Sequence, residues 1–231
     1  MKYILIIGLI ILVSLKLSAM SIFLQATKSG WYPEFLQSVV ITITSNNKPQ
    51  KILDIGTGPG TLPQMLIQKN EALQITGIDI DKSMIAEAKR RLTHQNVSFR
   101  HQIANEPLPF ADSEFDIVTF CSALFLLDDS AKKSLLDEAK RVLKPNGKII
   151  ALTPSGKKSI ISSFAGVWKY PFSSRNYTFM VWKTATTNSG RKWQKQKWLF
   201  DYATQSKLQY SSSLTFNDNA SLEILTKQVN K

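Results

Sequence analysis

An apolar run that ends in a carboxylate and breaks into three alternating glycines constrains this chain most: Ile52-Leu53-Asp54-Ile55-Gly56-Thr57-Gly58-Pro59-Gly60. Glycine tolerates positive φ and close backbone approach, so three at every second position predict a tight bend where a strand stops. "TLPQMLIQKN" follows at once and reads as a helix, with Pro63 in its first turn, where a missing N–H costs least. Strand, glycine bend and helix in that order bring backbone N–H groups and a positive helix end to the carboxyl edge of a sheet. Folds of this kind bind ligands at that edge.

The alternation continues. "LQITGIDI" reads as a second strand, and Asp81 caps "KSMIAEAKRRL", where Met84, Ile85, Ala88 and Leu92 recur at helical spacing. "VSFRH" and "FDIVTF" read as the third and fourth strands. "AKKSLLDEAKRVL" is a helix with Leu135, Leu136, Ala139, Val142 and Leu143 on one face, and "KPNG" turns the chain into a fifth strand, "KIIAL". "LQYSSSLTF", the polar turn "NDN" and "SLEILTKQ" read as two strands joined as a hairpin. The expected fold is therefore α/β: five parallel strands covered by helices on both faces, closed by an antiparallel pair. A chain of 231 residues with 43% hydrophobic content has room for one sizeable core plus an appendage.

Four regions are expected. Residues 1–28 form a hydrophobic N-terminal helix, 29–154 the α/β core, 155–207 an aromatic, basic cap with a last helix, and 208–231 the closing hairpin. Tyr3 to Leu24 is apolar on every face apart from Lys16 and a few small polar residues, and is long enough to cross a bilayer or lie along one. The preferred reading is an uncleaved membrane anchor; a cleaved signal peptide and a buried helix are the alternatives. Residues 155–231 hold twelve Lys and Arg against Asp201, Asp218 and Glu223, so they carry +9 of the net charge of +12. Such a surface attracts anionic lipid or nucleic acid alike, and a solvated basic face is the plainer explanation. Cys121 is the only cysteine, which rules out an intrachain disulfide.

The glycine spacing is G-x-G-x-G, with Thr61 where a dinucleotide fingerprint has its third glycine. Asp54, two residues before the bend, would repel a phosphate and suit a cationic ligand. Asp79 ends the second strand nineteen residues after Gly60, where a carboxylate can accept hydrogen bonds from both ribose hydroxyls. A ribose, a cationic amino-acid portion and close backbone approach are together the parts of S-adenosylmethionine.

"ILDIGTGPG", "GIDIDKSMIAEAKRRL", "LPFADSEFDIVTF" and "LDEAKRVLKPNGKIIAL" resemble, in order and at matching intervals, the motifs of the class I S-adenosylmethionine-dependent methyltransferases, especially the small-molecule and lipid-quinone type. The resemblance covers roughly residues 51–154. It implies a Rossmann-like, seven-stranded, mostly parallel sheet with an antiparallel terminal hairpin, and S-adenosyl-L-methionine as cofactor. It implies that Asp54 and Gly56 hold the methionine end, that Thr57, Gly58 and Gly60 admit the cofactor to the backbone, and that Asp79 grips the ribose. Ile80 would pack on the adenine, with Ile103 and Ala104 beside it and Cys121 at the end of the fourth strand. Ile103 stands where the family often has an acidic residue for the adenine amino group, a departure that removes one side-chain hydrogen bond.

No metal site and no general base are assigned. Methyl transfer from a sulfonium mainly requires alignment of the acceptor and exclusion of water. "CSALFLLDD" offers an apolar lining. Cys121 reads as a small core cysteine rather than a nucleophile, and His94 and His101 as surface or adenine-side residues. Asp128 and Asp129 could orient an acceptor, although helix capping explains one of them. Trp168, Tyr170, Phe172, Tyr177, Phe179 and Trp182 either form the cap's own core or face a flat, greasy acceptor. The expected activity is methyl transfer to a small apolar or membrane-associated acceptor such as a lipid, quinone precursor or thiol, by a domain facing the cytosol. A nucleic-acid methyltransferase and a non-catalytic cofactor-binding protein are the alternatives. Oligomeric state is not legible.

Overall fold

The computed structural model describes residues 21–157 and 177–228. Its strands are β1 Lys51–Ile55, β2 Gln74–Asp79, β3 Val97–His101, β4 Phe115–Cys121, β5 Leu143–Pro154, β6 Leu208–Thr215 and β7 Ala220–Lys227. The helices are α1 Trp31–Thr44, α2 Thr61–Lys69, α3 Lys82–Arg91, α4 Asp129–Val142, α5 Tyr177–Gln196 and α6 Trp198–Gln205. All seven strands join one sheet in the order β3-β2-β1-β4-β5-β7-β6.

Two-residue periodicity sorts the sheet's side chains into two cores. Ile52, Ile75, Ile117 and Ile150 meet α1 and α2 on one face, whereas Leu53, Val118, Phe120 and Ile149 meet α4 and α6 on the other. Strands buried on both faces need near-continuous apolar sequence, which is why β1, β4 and β5 lack a clean alternation.

The expected hairpin is present, but its second strand lies inside. β7 pairs antiparallel with β5, and β6 pairs with β7 as the sheet edge. Burial decides this: Ala220 to Glu223 are all buried, whereas Ser211, Ser212 and Ser213 are exposed. The more apolar strand takes the position with two neighbours.

One local expectation needs correction. "KPNG" does not precede β5 but interrupts it: Leu143 pairs with Phe115, the next partners are Lys148 and Ile117, and Asn146 adopts φ 62°. Asp128 and Asp129 are both structural. Asp128 caps α4 by accepting from the Ala131 N–H at 2.9 Å, and Asp129 pairs at 2.6 Å with the buried Lys132. Helix capping, one of the two readings of the sequence, accounts for Asp128, and both carboxylates remain exposed.

The last third supplies core as well as cover. Phe179 and Trp182 of α5 pack among Trp31, Phe35 and Phe216, and the Trp31 indole N–H donates to the Thr178 hydroxyl at 2.9 Å. These aromatics belong to the first core, together with Ile52, Ile150 and Leu222 of the sheet; Trp168, Tyr170 and Phe172 lie outside the described residues. The expected anchor also falls largely outside them, at residues 1–20. Residues 21–26 are helical and already belong to the domain, since Phe23 packs on the first core and Ala26 is 4% exposed. Among the described residues no helix is long and apolar enough to cross a membrane.

Candidate functional site

β1 has β2 on one side and β4 on the other, and the helices that follow β1 and β4 cover opposite faces. Successive connections therefore diverge at β1 and β4, and a crevice opens beyond their carboxyl ends. Asp54, the glycine loop and Cys121 all reach that edge.

The loop is pinned to its neighbour. The N–H groups of Gly56 and Thr57 donate to the Ile78 carbonyl at 2.9 and 3.0 Å, and that of Gly58 to the Asp79 carboxylate at 2.9 Å. Three donors that could have cradled a phosphate are thus spent on β2. The loop supplies shape and leaves anion binding aside, as the carboxylate of Asp54 also requires. Gly56, Gly58 and Gly60 all have positive φ, at 75°, 54° and 78°. Only Gly56 is exposed. A Cβ on Gly58 would lie 3.2 Å from the Phe23 ring, and one on Gly60 would lie 2.9 Å from the Phe99 ring. At Gly60 the missing side chain also makes room for a core phenylalanine. Local spacing carries no sign of this contact, because Phe99 comes from β3, two strands away.

Asp54 is 2% exposed and accepts from the Thr119 hydroxyl at 2.7 Å. Asp54 and Thr119 are register partners on β1 and β4, so the pairing of two neighbouring strands sets this contact. Burial pushes the Asp54 carboxyl up to about 6, against the opposing effect of the Thr119 hydrogen bond, with Asp79 adding slightly to the rise. A buried carboxylate is costly unless a partner offsets its charge. Cys121 packs at the rim of the same core, and burial, then Asp54, pushes its thiol well above the ordinary cysteine value. An activated nucleophile needs the opposite shift. Both histidines are engaged with the backbone: His94 Nδ1 accepts from the Asn96 N–H at 3.2 Å, and His101 Nε2 lies 3.1 Å from the Ile80 carbonyl oxygen.

Asp79 ends β2 with one carboxylate oxygen on the Gly58 N–H and the other on the Asp81 N–H, each at 2.9 Å. A carboxylate has about four lone-pair sites, so each oxygen can still accept one more hydrogen bond. Beside it Ile80 is 64% exposed and Ile103 55% exposed, and Ala104 is exposed in the turn after β3. These apolar side chains at the sheet's carboxyl edge are available to pack on a flat ligand face. Sequence reasoning missed Thr119 and Phe23, which reach the site from another strand and from the N-terminal segment. For Thr119, pairing β1 with β4 in register would have been enough.

Comparisons with known proteins agree with this geometry. The methyltransferase domain family matches residues 52–147. The ubiquinone/menaquinone biosynthesis C-methyltransferase UbiE of Desulfotalea psychrophila is 38% identical over 112 residues, which is 48% of this chain and 44% of that protein. UbiE of Rickettsia bellii is 31% identical over 185 residues, 76% of this chain and 66% of that protein. This chain belongs to the class I S-adenosylmethionine-dependent methyltransferases. A solved structure from Methanococcus maripaludis, described as an S-adenosylmethionine-dependent methyltransferase, shares the fold with a TM-score of 0.67 at 17% identity, covering 90% of this chain and 92% of its own. The chain spans about half the length of the first two relatives it matches, 44% and 47%.

The methyltransferase family's cofactor fits the residues present. When bound, S-adenosylmethionine supplies a methyl group on a positively charged sulfur. Asp54 offers its amino-acid end a buried negative charge, Asp79 has acceptor capacity left for ribose hydroxyls, and Ile80 and Ile103 offer apolar faces to the adenine. Gly56 leaves backbone uncovered where a side chain would stand. Thr119 keeps the Asp54 carboxylate aimed at the crevice by holding one of its oxygens.

Proposed function

We propose that this chain methylates a small apolar or membrane-associated acceptor, with a quinone precursor as the first candidate. The observation that carries the reading is the likeness to relatives named for ubiquinone and menaquinone biosynthesis. Chemistry at the site supports it. Leu126, just beyond β4, is 70% exposed, and the segment from Ser122 to Leu127 contains no charged side chain. A flat, apolar ring with an easily ionised hydroxyl would lie there without a protein base: loss of the hydroxyl proton to solvent makes the ring carbon nucleophilic. That carbon would take the methyl as the sulfur–methyl bond breaks with its electron pair left on a neutral thioether, and the ring C–H proton would pass to solvent.

The reading includes attachment to a membrane through residues 3–20, the part of the apolar run that precedes the Phe23 contact with the domain, with the domain on the cytosolic side, where the cofactor is made. Replacing two leucines of that run by lysine is expected to move the protein from the membrane pellet to the soluble fraction, since each charge at a span centre costs about 2.5–3.5 kcal/mol. Pelleting that does not change would refute the attachment.

The activity test uses methyl-labelled S-adenosylmethionine with a short-tailed demethylated quinol, a phenol and an aliphatic thiol. Label is expected in the quinol, with at least a tenfold drop for Asp79→Ala, which removes the ribose acceptor and releases the Gly58 N–H. Label in the thiol alone would replace the quinone class by a thiol class. Cofactor binding without transfer to any acceptor would favour a non-catalytic role.

A further inference from the structure

We propose that a second pocket, on the far side of β5 from the crevice, binds a small organic ammonium ion, with Glu223 as its anion and aromatic rings as its walls.

The pocket has a volume of about 260 Å³ and lies between α5, the start of α6 and the edge pair β6 and β7. Trp193, Phe200 and Tyr210 supply its rings, and Lys197 and Glu223 its only charged groups. None of these residues belongs to the glycine loop, to Asp79 or to the turn after β3, so the inference does not depend on the cofactor reading.

Glu223 is the member that needs a reason. Alternation along β7 puts it on the same face as Leu225, where the second core would take an apolar side chain. It is instead a carboxylate, only 4% exposed. One oxygen accepts from the Trp193 indole N–H at 2.6 Å and the other from the Tyr210 hydroxyl at 2.8 Å. Both donors are neutral, and among the described residues Glu223 forms no ion pair. Burial therefore holds its carboxyl above the ordinary range, against the effect of those two hydrogen bonds. Lys132, whose ammonium stands 5.6 Å from the centre of the Trp193 ring, pairs with Asp129 instead. A buried carboxylate without a countercharge is costly, and an apolar residue in its place would avoid the cost. Each of its oxygens keeps a lone pair for one more N–H donor.

The walls select what that donor is. Phe200 is 47% exposed and stands edge-on to Tyr210 at 5.5 Å, so two rings flank the space and the Trp193 indole lines it beside Glu223. Ring faces attract cations, and Glu223 repels anions. A neutral amide would supply an N–H and leave the charge unmatched. A protonated primary amine supplies both. Lys197, exposed on the same lining, repels a second positive charge, so a monoamine with an apolar body fits better than a diamine.

The test titrates the full chain, labelled with nitrogen-15, and follows the Trp193 indole N–H resonance, since that group bonds Glu223 directly. The probes are phenethylamine and 3-phenylpropionate, which differ mainly in the sign of their charge. At pH 8 phenethylamine is expected to shift the resonance saturably and 3-phenylpropionate to leave it unmoved. Glu223→Gln removes the charge, keeps an acceptor for Trp193, and leaves Tyr210 free to accept from the amide. It is expected to melt cooperatively and to bind phenethylamine more than about tenfold more weakly. Phe200→Ala, which removes a half-exposed ring, is expected to weaken the amine about two- to fivefold. No saturable shift with phenethylamine, equal binding of 3-phenylpropionate, or wild-type affinity in Glu223→Gln would each overturn the proposal. If Glu223→Gln does not fold, Phe200→Ala decides, and unchanged affinity there overturns it.

Discussion

Asp54→Asn will make the cofactor-free protein more stable at pH 8 and the cofactor site much weaker. The Asp54 carboxyl titrates at about 6 in the fold, against about 3.9 in an unfolded chain. Between those values the folded state holds more protons than the unfolded one, so stability falls as pH rises and levels off above about 6. The stability missing at pH 8 is at most about 3 kcal/mol, two pKa units, so the neutral amide should recover roughly 1–3 kcal/mol in urea unfolding. At pH 4 the gain should vanish, because the wild-type carboxyl is then protonated in the fold. Binding should change in the opposite direction. A cationic ligand needs the ionised form, so wild-type affinity for S-adenosylmethionine should fall as pH drops through about 6. The variant should bind more than tenfold more weakly and show no such pH dependence. A variant that is no more stable at pH 8, or that keeps wild-type affinity, would show that Asp54 is not the buried countercharge.

Gly190→Ala will destabilise the fold by roughly 3 kcal/mol in the same assay, although helix propensity alone favours alanine by about 1 kcal/mol. Gly190 sits inside α5, and its φ is not positive, so nothing in its own backbone requires glycine. The requirement is tertiary. A Cβ there would stand 2.5 Å from the Pro154 carbonyl oxygen and 2.7 Å from the Gly156 nitrogen. α5 thus lies backbone against backbone on the end of β5. Its displacement would disturb Trp193, three residues on, whose indole N–H donates to the buried Glu223 at 2.6 Å. A stabilised Gly190→Ala protein would mean that α5 is not seated on β5 in this way.

These two residues mark what can be read from a sequence. Asp54 stands out because a carboxylate in the middle of "KILDIG" contradicts the burial of its neighbours, and local contradictions of this kind point to function. Gly190 does not stand out, because its partners lie more than thirty residues away on another element. The glycine loop shows both cases at once. Its bend, its position after β1 and its aversion to phosphate follow from spacing and charge. That Gly60 makes room for Phe99, and that Phe23 covers Gly58, depend on strands and segments brought together only by the sheet order.

By itself the sequence determined the seven strands, the helices between them, the closing hairpin and the carboxylate pair Asp54 and Asp79, because apolar periodicity, glycine and capping residues act over a few positions. Tertiary structure decided which hairpin strand lies inside, which hydroxyl holds Asp54, and which rings stand against Gly58 and Gly60. Each of those depends on burial and on contacts between residues remote in the chain. Their physical cause is competition for a small number of buried positions, and local sequence does not record which segment wins.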